Sequence, residues 1–321
     1  MNFVNQTIAF PRLIDLSSED AERRRLTLDK LDENDLDLLQ VEDILPLLTD
    51  EEFAIRLLAI GALVELNDVA AIPPLLDTVA DSDPEVSAAA RTALLEFRTR
   101  DAVDPFIAGV SHPSPKAREA AVAGLRELKS PRAIPVLRRA LEDSTAAVRR
   151  EAVLALPRVP DQNFREILIR SLYDSDPEVR RTAVVAVASL RAPETLSYLL
   201  RSLRDVDWTV RRTAAVALVH FPYPGTVLGL RRALRDPHPD VLREAISGLG
   251  KLRAPVSFAL VPFLQHQLPA VRLAAVKALR DIGDPASRLH IVTLLNDPSP
   301  DVVEVVLNLL EQPVERKLEG V

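Results

Sequence analysis

Residues 175–190 read SDPEVRRTAVVAVASL, and this stretch decides the fold. Asp176 is placed to cap a helix, and the proline after it suits the first helical position because proline has no amide hydrogen to lose there. From Val179, apolar residues then recur at 0, +4, +7 and +8, which is the spacing of one face of a helix. The stretch therefore predicts a turn followed by one amphipathic helix.

The same pattern recurs along the chain with a 31-residue period. If Val179 is taken as position 0, its equivalents are Ile55, Val86, Ala117, Val148, Val210, Val241, Val271 and Val302. With Val179 in its place between Val148 and Val210, every step in this series is 31 residues, except that the step from Val241 to Val271 is 30. Each unit also has Ala or Val at +4 and Leu or Val at +8. A helical period that is kept over nine units is typical of stacked helical hairpins.

A shorter first helix precedes the helix that carries position 0, as in residues 134–141, IPVLRRAL. We call the helix with position 0 the second helix of its unit. The pattern predicts an all-α fold, an α-solenoid wound as a right-handed superhelix of about nine 31-residue helical hairpins. Residues 1–40 depart from the period and are interpreted as an N-terminal capping segment. Residues 41–311 are interpreted as one continuous solenoid, and residues 312–321 as a C-terminal tail.

The composition excludes several kinds of protein. Cysteine is absent, which excludes disulfides, thiolate metal sites and cysteine nucleophiles. No run approaches the ~20 apolar residues of a membrane helix, and the N-terminus lacks the pattern of a signal peptide. We therefore expect a cytoplasmic protein without membrane insertion.

The DPEVRRTAVV pattern of the second helix and the 31-residue period resemble the short HEAT-like repeats first described in phycobilisome bilin lyase subunits. The resemblance covers about residues 41–311. It implies a solenoid whose second helices line the concave side. It does not single out one function, because such repeats occur in scaffolds, bilin lyases and chaperones, a metal-dependent hydroxylase and DNA glycosylases.

Two charged columns follow the period. Asp lies five residues before position 0 in most units, with His112 and His266 as exceptions, and Arg lies one residue after it. We interpret these columns as a structural ladder, in which each Asp holds turn amides and pairs with an Arg of its own or the next unit. A carboxylate row that binds metal is the alternative, but a specific site would not recur in nearly every unit. The central ladder residues are Asp143, Asp174, Asp205, Asp236, Arg149, Arg180 and Arg211.

A third column, at +2, points away from the core-facing positions and carries arginine in four consecutive units. The +6 position shares that outer face and is mostly aliphatic, and Trp208 either adds an exposed aromatic group or packs into a turn. Guanidinium groups beside apolar side chains suit a carboxylate- or phosphate-bearing partner. A solvated face that keeps the helices soluble is the alternative. The predicted partner-binding residues are Arg150, Arg181, Arg212, Arg243, Leu154, Val185, Val216 and Trp208.

The charges are unevenly distributed along the chain. Residues 116–253 hold 25 Lys and Arg and 16 Asp and Glu, a net charge of +9, whereas the remainder has a net charge of −16. A basic middle between acidic ends favours a protein partner with an acidic surface. The total charge of −7 and the aromatic content of 4% disfavour nucleic acid as a partner.

The chain lacks the familiar catalytic motifs. None of its five histidines is followed by Glu, so the paired His-Glu motifs of the HEAT-repeat hydroxylase are missing. There is no phosphate-binding loop, G-x-S-x-G or H-E-x-x-H. We predict no catalytic residue, no metal and no cofactor, and we lean towards a protein that is not an enzyme.

The leading interpretation is a non-enzymatic scaffold or adaptor that binds a partner protein along its arginine-bearing concave face. The resemblance implies an alternative, a bilin lyase or tetrapyrrole-handling chaperone, with a bilin or an antenna protein as the partner. A nucleic-acid-acting HEAT-like protein is the second alternative.

Overall fold

A computed structural model of the 321-residue chain describes residues 15–159 and 164–311. All regular structure within these residues is helical, and the predicted all-α solenoid class is confirmed. The chain falls into two compact units, Met1–Phe164 (unit 1) and Arg165–Val321 (unit 2). The predicted C-terminal tail, residues 312–321, lies outside the described residues, as does the 1–14 part of the predicted capping segment.

Unit 1 is built from helical hairpins that follow an N-terminal helix. Its described helices are α1 (Ala21–Asp29), α2 (Glu33–Leu36), α3 (Val41–Ile44), α4 (Phe53–Leu66), α5 (Ile72–Thr78), α6 (Pro84–Leu94), α7 (Val103–Gly109), α8 (Pro115–Leu128), α9 (Ile134–Ala140) and α10 (Ala146–Ala155). The second helices of the hairpins are α4, α6, α8 and α10. Helix α1 packs against α4 in the way that one second helix packs against the next.

Unit 2 continues the same alternation of a short and a longer helix. Its described helices are α11 (Arg165–Ser171), α12 (Pro177–Ser189), α13 (Leu196–Ser202), α14 (Trp208–Leu218), α15 (Pro224–Ala233), α16 (Pro239–Lys251), α17 (Ser257–Leu260), α18 (Pro269–Ile282), α19 (Ser287–Val292) and α20 (Pro300–Glu311). The second helices are α12, α14, α16, α18 and α20, and each packs beside the next.

The second helices begin where the turn residues cap them. Asp176 Oδ1 accepts hydrogen bonds from the amides of Glu178 and Val179, at 2.8 and 3.1 Å. His238 Nδ1 caps α16 by accepting from the amide of Asp240, two residues on, at 3.3 Å. Ser114 occupies the cap position of α8 without a side-chain cap bond.

The core is formed by the periodic positions of the second helices. Residues at position 0 and at +4 are at most 1% exposed in all nine 31-residue repeats. Burying each valine or isoleucine of this kind stabilises the fold by about 1.5–3 kcal/mol. Helices α16 and α18 approach closely because Gly250 has no side chain, and a Cβ there would lie 2.6 Å from the Cα of Ala278.

None of the helices in the described part of the chain is both long enough and apolar enough to cross a membrane.

Candidate functional site

The +1 arginines join consecutive helical hairpins through a repeated set of hydrogen bonds. Arg180 donates from Nε and Nη2 to the two carboxylate oxygens of Asp205, each at 2.8 Å. Its Nη1 donates to the carbonyls of Asp174 and Ser175, at 2.8 and 3.1 Å. Asp205 Oδ1 also accepts from the amide of Asp207 at 2.9 Å. One guanidinium group thus binds both the turn of its own hairpin and the aspartate of the next hairpin.

The same arrangement recurs at a fixed spacing between Arg and Asp along the sequence. It is found in the ion pairs Arg56–Asp81, Arg118–Asp143, Arg211–Asp236 and Arg272–Asp297. Arg149 donates to the carbonyls of Asp143 and Ser144, at 2.8 and 3.2 Å, and Asp174 accepts from the amide of Asp176 at 2.9 Å.

The N-terminal segment contributes a ladder pair that the period does not predict. Arg24 Nε donates to Asp50 Oδ2 at 2.7 Å, and its Nη1 donates to the carbonyl of Ser18. Arg24 is offset by one position from the register that the period would extend back from Arg56. An Arg that precedes a turn Asp at nearly the spacing of the other pairs was the signal that could have found it.

The ladder pairs are largely buried, and their hydrogen bonds keep both partners charged against the effect of burial. The side chains of Arg180 and Asp205 are 11% and 12% exposed. Burial works to raise the pKa of Asp236, but the hydrogen bonds from Arg211 and from the His238 amide outweigh it, and the pKa is lowered. The hydrogen bond to Asp205 raises the pKa of Arg180. Within the described residues, no group of three His, Asp or Glu side chains is arranged to hold a metal ion.

In two hairpins a histidine replaces the ladder aspartate. In both cases the arginine that would pair with that aspartate is replaced as well. His112 and His266 accept through Nδ1 from the amide two residues on, at 3.1 Å in each case, as the aspartates do. In the hairpins that precede these two, the +1 position carries Ser87 and Leu242 instead of Arg. Ser87 Oγ donates instead to a backbone carbonyl, at 2.7 Å. Both members of a ladder pair therefore differ together.

Of the +2 arginines of unit 2, Arg212 is exposed and Arg181 and Arg243 are half-buried, and carboxylates pair with all three. Arg181 donates to Glu178 Oε2 at 2.6 Å, and this hydrogen bond raises the pKa of the arginine. Arg212 lies 3.4 Å from Glu244 Oε1. Arg243 lies 3.2 Å from Asp240 Oδ1 and 3.5 Å from the same Glu244 oxygen. The local charge is consequently balanced rather than strongly positive.

The remaining predicted residues divide between the two units. In unit 1, Arg150 pairs with Glu119 at 3.2 Å, and Leu154 is exposed. In unit 2, Val185 and Val216 are 50% and 45% exposed, on the adjacent helices α12 and α14. Each valine lies four residues after a +2 arginine on the same helix, Val185 after Arg181 and Val216 after Arg212.

Trp208 is half-exposed at the start of α14, and its ring stacks on His238. The ring centroids are 3.8 Å apart, and the planes differ by 6°. His238 Nδ1 lies 4.0 Å from Asp240 Oδ2. The stack joins the N-terminal ends of α14 and α16. We define the second-helix surface of unit 2 by Arg181, Arg212, Arg243, Val185, Val216 and Trp208.

Sequence reasoning missed the carboxylates that hold the arginines. Glu178 and Asp240 each precede a +2 arginine by three residues on the same helix, a spacing that brings side chains together. That spacing was a readable signal. Glu244 lies on the helix after that of Arg212, and such a contact depends on how neighbouring helices pack.

Helical hairpins whose second helices pack in series define the class of α-solenoids. A family model for HEAT repeats matches residues 72–156, 139–219, 199–261 and 227–311. The chain belongs to the HEAT-repeat family. A search of curated proteins finds no match to it.

Two solved structures share the fold at low identity. One is Kap95p, from a structure of its complex with RanGDP, with a TM-score of 0.62 and 15% identity over 95% of this chain and 51% of Kap95p. The other is the Escherichia coli protein YibA, with a TM-score of 0.51 and 15% identity over 88% of this chain and 98% of YibA. This chain therefore spans about half of Kap95p. These likenesses show the fold alone.

Proposed function

We propose that this HEAT-repeat protein is a scaffold or adaptor, and that it binds a partner protein through the second-helix surface of unit 2. The observation that carries the proposal is the exposure of Val185 and Val216, 50% and 45%, on adjacent second helices that also carry the ion-paired Arg181 and Arg212. Exposed aliphatic side chains with a charged border have the composition of a protein interface, in which the apolar centre excludes water.

The ion pairs affect how the surface would act. Each +2 arginine already has its charge-assisted hydrogen bond, so a partner carboxylate would share or replace Glu178, Asp240 or Glu244. The arginines would therefore contribute orientation and specificity, and the two valines most of the affinity. The basic segment 116–253 supports a partner with an acidic surface, which the arginines would steer.

The test is affinity capture from the native cell lysate with quantitative mass spectrometry. Val185→Glu with Val216→Glu should lose a specific protein that the wild type captures, since both side chains are exposed and their replacement leaves the core intact. The matched control is Phe258→Glu with Leu289→Glu, which makes the same change at exposed residues on first helices of the same unit. Unchanged capture in the valine variant, or equal loss in the control, would contradict the proposal.

The eluate of the same experiment distinguishes the two alternative functions. Visible absorbance would assign the chain to bilin handling, and bound nucleic acid that salt releases would assign it to nucleic-acid chemistry. Either result would replace the scaffold proposal.

A further inference from the structure

A groove of about 1170 Å³ runs between the first helices α13 and α15 of unit 2. We define the first-helix groove by Tyr173, Tyr198, Leu228, Arg201 and Arg232, which all line it. Ligand pockets for small molecules usually measure about 300–1,000 Å³, so this open groove exceeds that range. None of its lining residues belongs to the second-helix surface.

Two glycines of α15 face the groove. A Cβ on Gly229 would lie 2.5 Å from Leu200 Cδ2, whereas a Cβ on Gly225 would make an ordinary contact with Leu200, at 3.7 Å. The position of Gly229 in its hairpin is occupied by Tyr198 in the preceding hairpin. A large side chain is therefore replaced by none, and backbone lines this side of the groove.

The groove exposes large apolar side chains. Tyr173, Tyr198 and Leu228 are all exposed, and Val206 at its edge is 93% exposed. By contrast, the first helices α5, α7 and α9 of unit 1 carry no exposed large apolar residue. Apolar side chains gathered in a concave surface favour a ligand that brings apolar groups of its own.

The groove also carries arginines that no carboxylate holds. They occupy two pairs of equivalent positions in consecutive hairpins and are Arg201 with Arg232, and Arg204 with Arg235. All four are exposed, and none forms an ion pair with a carboxylate in residues 15–159 or 164–311. The guanidinium of Arg201 lies over the ring of Tyr173, 5.1 Å from its centroid.

The carboxylates that line the groove already form ion pairs with other arginines. Asp205 and Asp236 both accept hydrogen bonds from ladder arginines, Arg180 and Arg211, and are largely buried. They therefore do not compete for the arginines of the groove. The groove presents net positive charge, in contrast to the balanced second-helix surface.

We propose that the first-helix groove binds an extended acidic peptide segment of a partner protein, with a large apolar side chain of that segment against Tyr198 and Leu228. Unpaired guanidiniums favour carboxylates, which they bind in a bidentate manner. The apolar side chains distinguish a peptide from nucleic acid, whose backbone offers nothing for Leu228 and Val206. This site lies on other helices than the proposed scaffold surface and goes beyond it.

The test measures the affinity of a short fluorescein-labelled peptide of Glu and Asp with one Phe and one Leu, by fluorescence anisotropy on the full chain. Arg201→Glu with Arg232→Glu should weaken binding at least about tenfold, because two guanidiniums become repulsive carboxylates. The matched control, Arg253→Glu with Arg280→Glu, makes the same charge change at exposed arginines of the same unit that belong to neither surface. It should bind within about twofold of the wild type.

A second pair of variants fills the groove without changing charge. Gly225→Trp should block the peptide, whereas Gly225→Ala should bind as the wild type does, since a Cβ there makes only an ordinary contact. Circular dichroism of each variant verifies the helical content. A peptide in which Ser replaces Phe and Leu should bind more weakly.

Three results would overturn the proposal. These are full affinity in the Arg201/Arg232 variant, equal loss in the Arg253/Arg280 variant, and equal affinity for the Ser-substituted peptide. An oligonucleotide of equal charge that binds the groove more tightly than the peptide would also overturn it. The scaffold proposal would be unaffected, because its test changes Val185 and Val216.

Discussion

Two arginines of unit 2, Arg212 on a second helix and Arg232 on a first helix, differ in their partners rather than in their exposure. Both arginines are exposed. Arg212 has a carboxylate 3.4 Å away, whereas Arg232 has none within the part of the chain that the structure describes. A repeated arginine therefore becomes a candidate binding group only when its hairpin supplies no acid to hold it.

The +1 arginines are the extreme case of a held cation. Arg180 makes four hydrogen bonds, two to Asp205 and two to backbone carbonyls, while it is largely buried. A fixed charge of this kind offers little to a ligand. It connects the turn of one hairpin to the next and so positions both surfaces.

The largest predicted effect is a difference in the stability lost when either of two neighbouring arginines is replaced by alanine. Arg180→Ala should lower the free energy of unfolding by about 3 kcal/mol, because Asp205 is left partly buried without its cation. Arg181→Ala removes an exposed pair with Glu178 and should cost about 0.2–1 kcal/mol. Urea unfolding followed by circular dichroism gives both values. Equal losses would show that the ladder is no more than a surface feature.

Replacing both members of one ladder pair sharpens the comparison, because it copies the natural combination in which histidine takes the place of aspartate. Asp205→His alone should destabilise the chain, since Arg180 then loses its carboxylate. Adding Arg180→Leu recreates the combination of Leu242 and His266, and the double variant should lose less than the sum of the single variants. We expect a coupling energy of about 1–3 kcal/mol from the double-mutant cycle. Simple additivity would contradict the account of the ladder as coupled pairs.

A smaller effect follows from the lowered pKa of Asp236. A carboxyl group whose pKa is lower in the folded state contributes stability that is present above its unfolded pKa, about 3.9, and is lost as the pH falls through its folded pKa. The unfolding free energy should therefore fall below about pH 4, and it should fall less steeply in Asp236→Asn. Urea midpoints between neutral and acid pH measure both slopes, and identical slopes would rule out this contribution.

Much of the fold could be predicted from the sequence because the period identifies equivalent residues without any structure. Val179 and Ala183 are buried as their spacing predicts, and Asp176 caps its helix as expected. The HEAT-repeat family is confirmed, whereas the bilin lyase subtype stays a prediction.

The properties of the surfaces were harder to predict, because they depend on contacts between hairpins. The stacking of Trp208 on His238 and the pairing of Arg212 with Glu244 each join side chains from consecutive hairpins. A period indicates which residues are equivalent, but it does not show which long side chains reach each other. The groove depends on single residues, above all Gly229, which the averaged repeat hides.

The most direct test of this account is the modification of arginines in the native chain by phenylglyoxal, read residue by residue by mass spectrometry. Arg201 and Arg232 should react several times faster than Arg181 and Arg212, whose side chains are 40% and 46% exposed but ion-paired. Arg180 and Arg211 should react slowest. Modification of Arg212 as fast as that of Arg232 would contradict the claim that pairing, rather than exposure, separates the two surfaces.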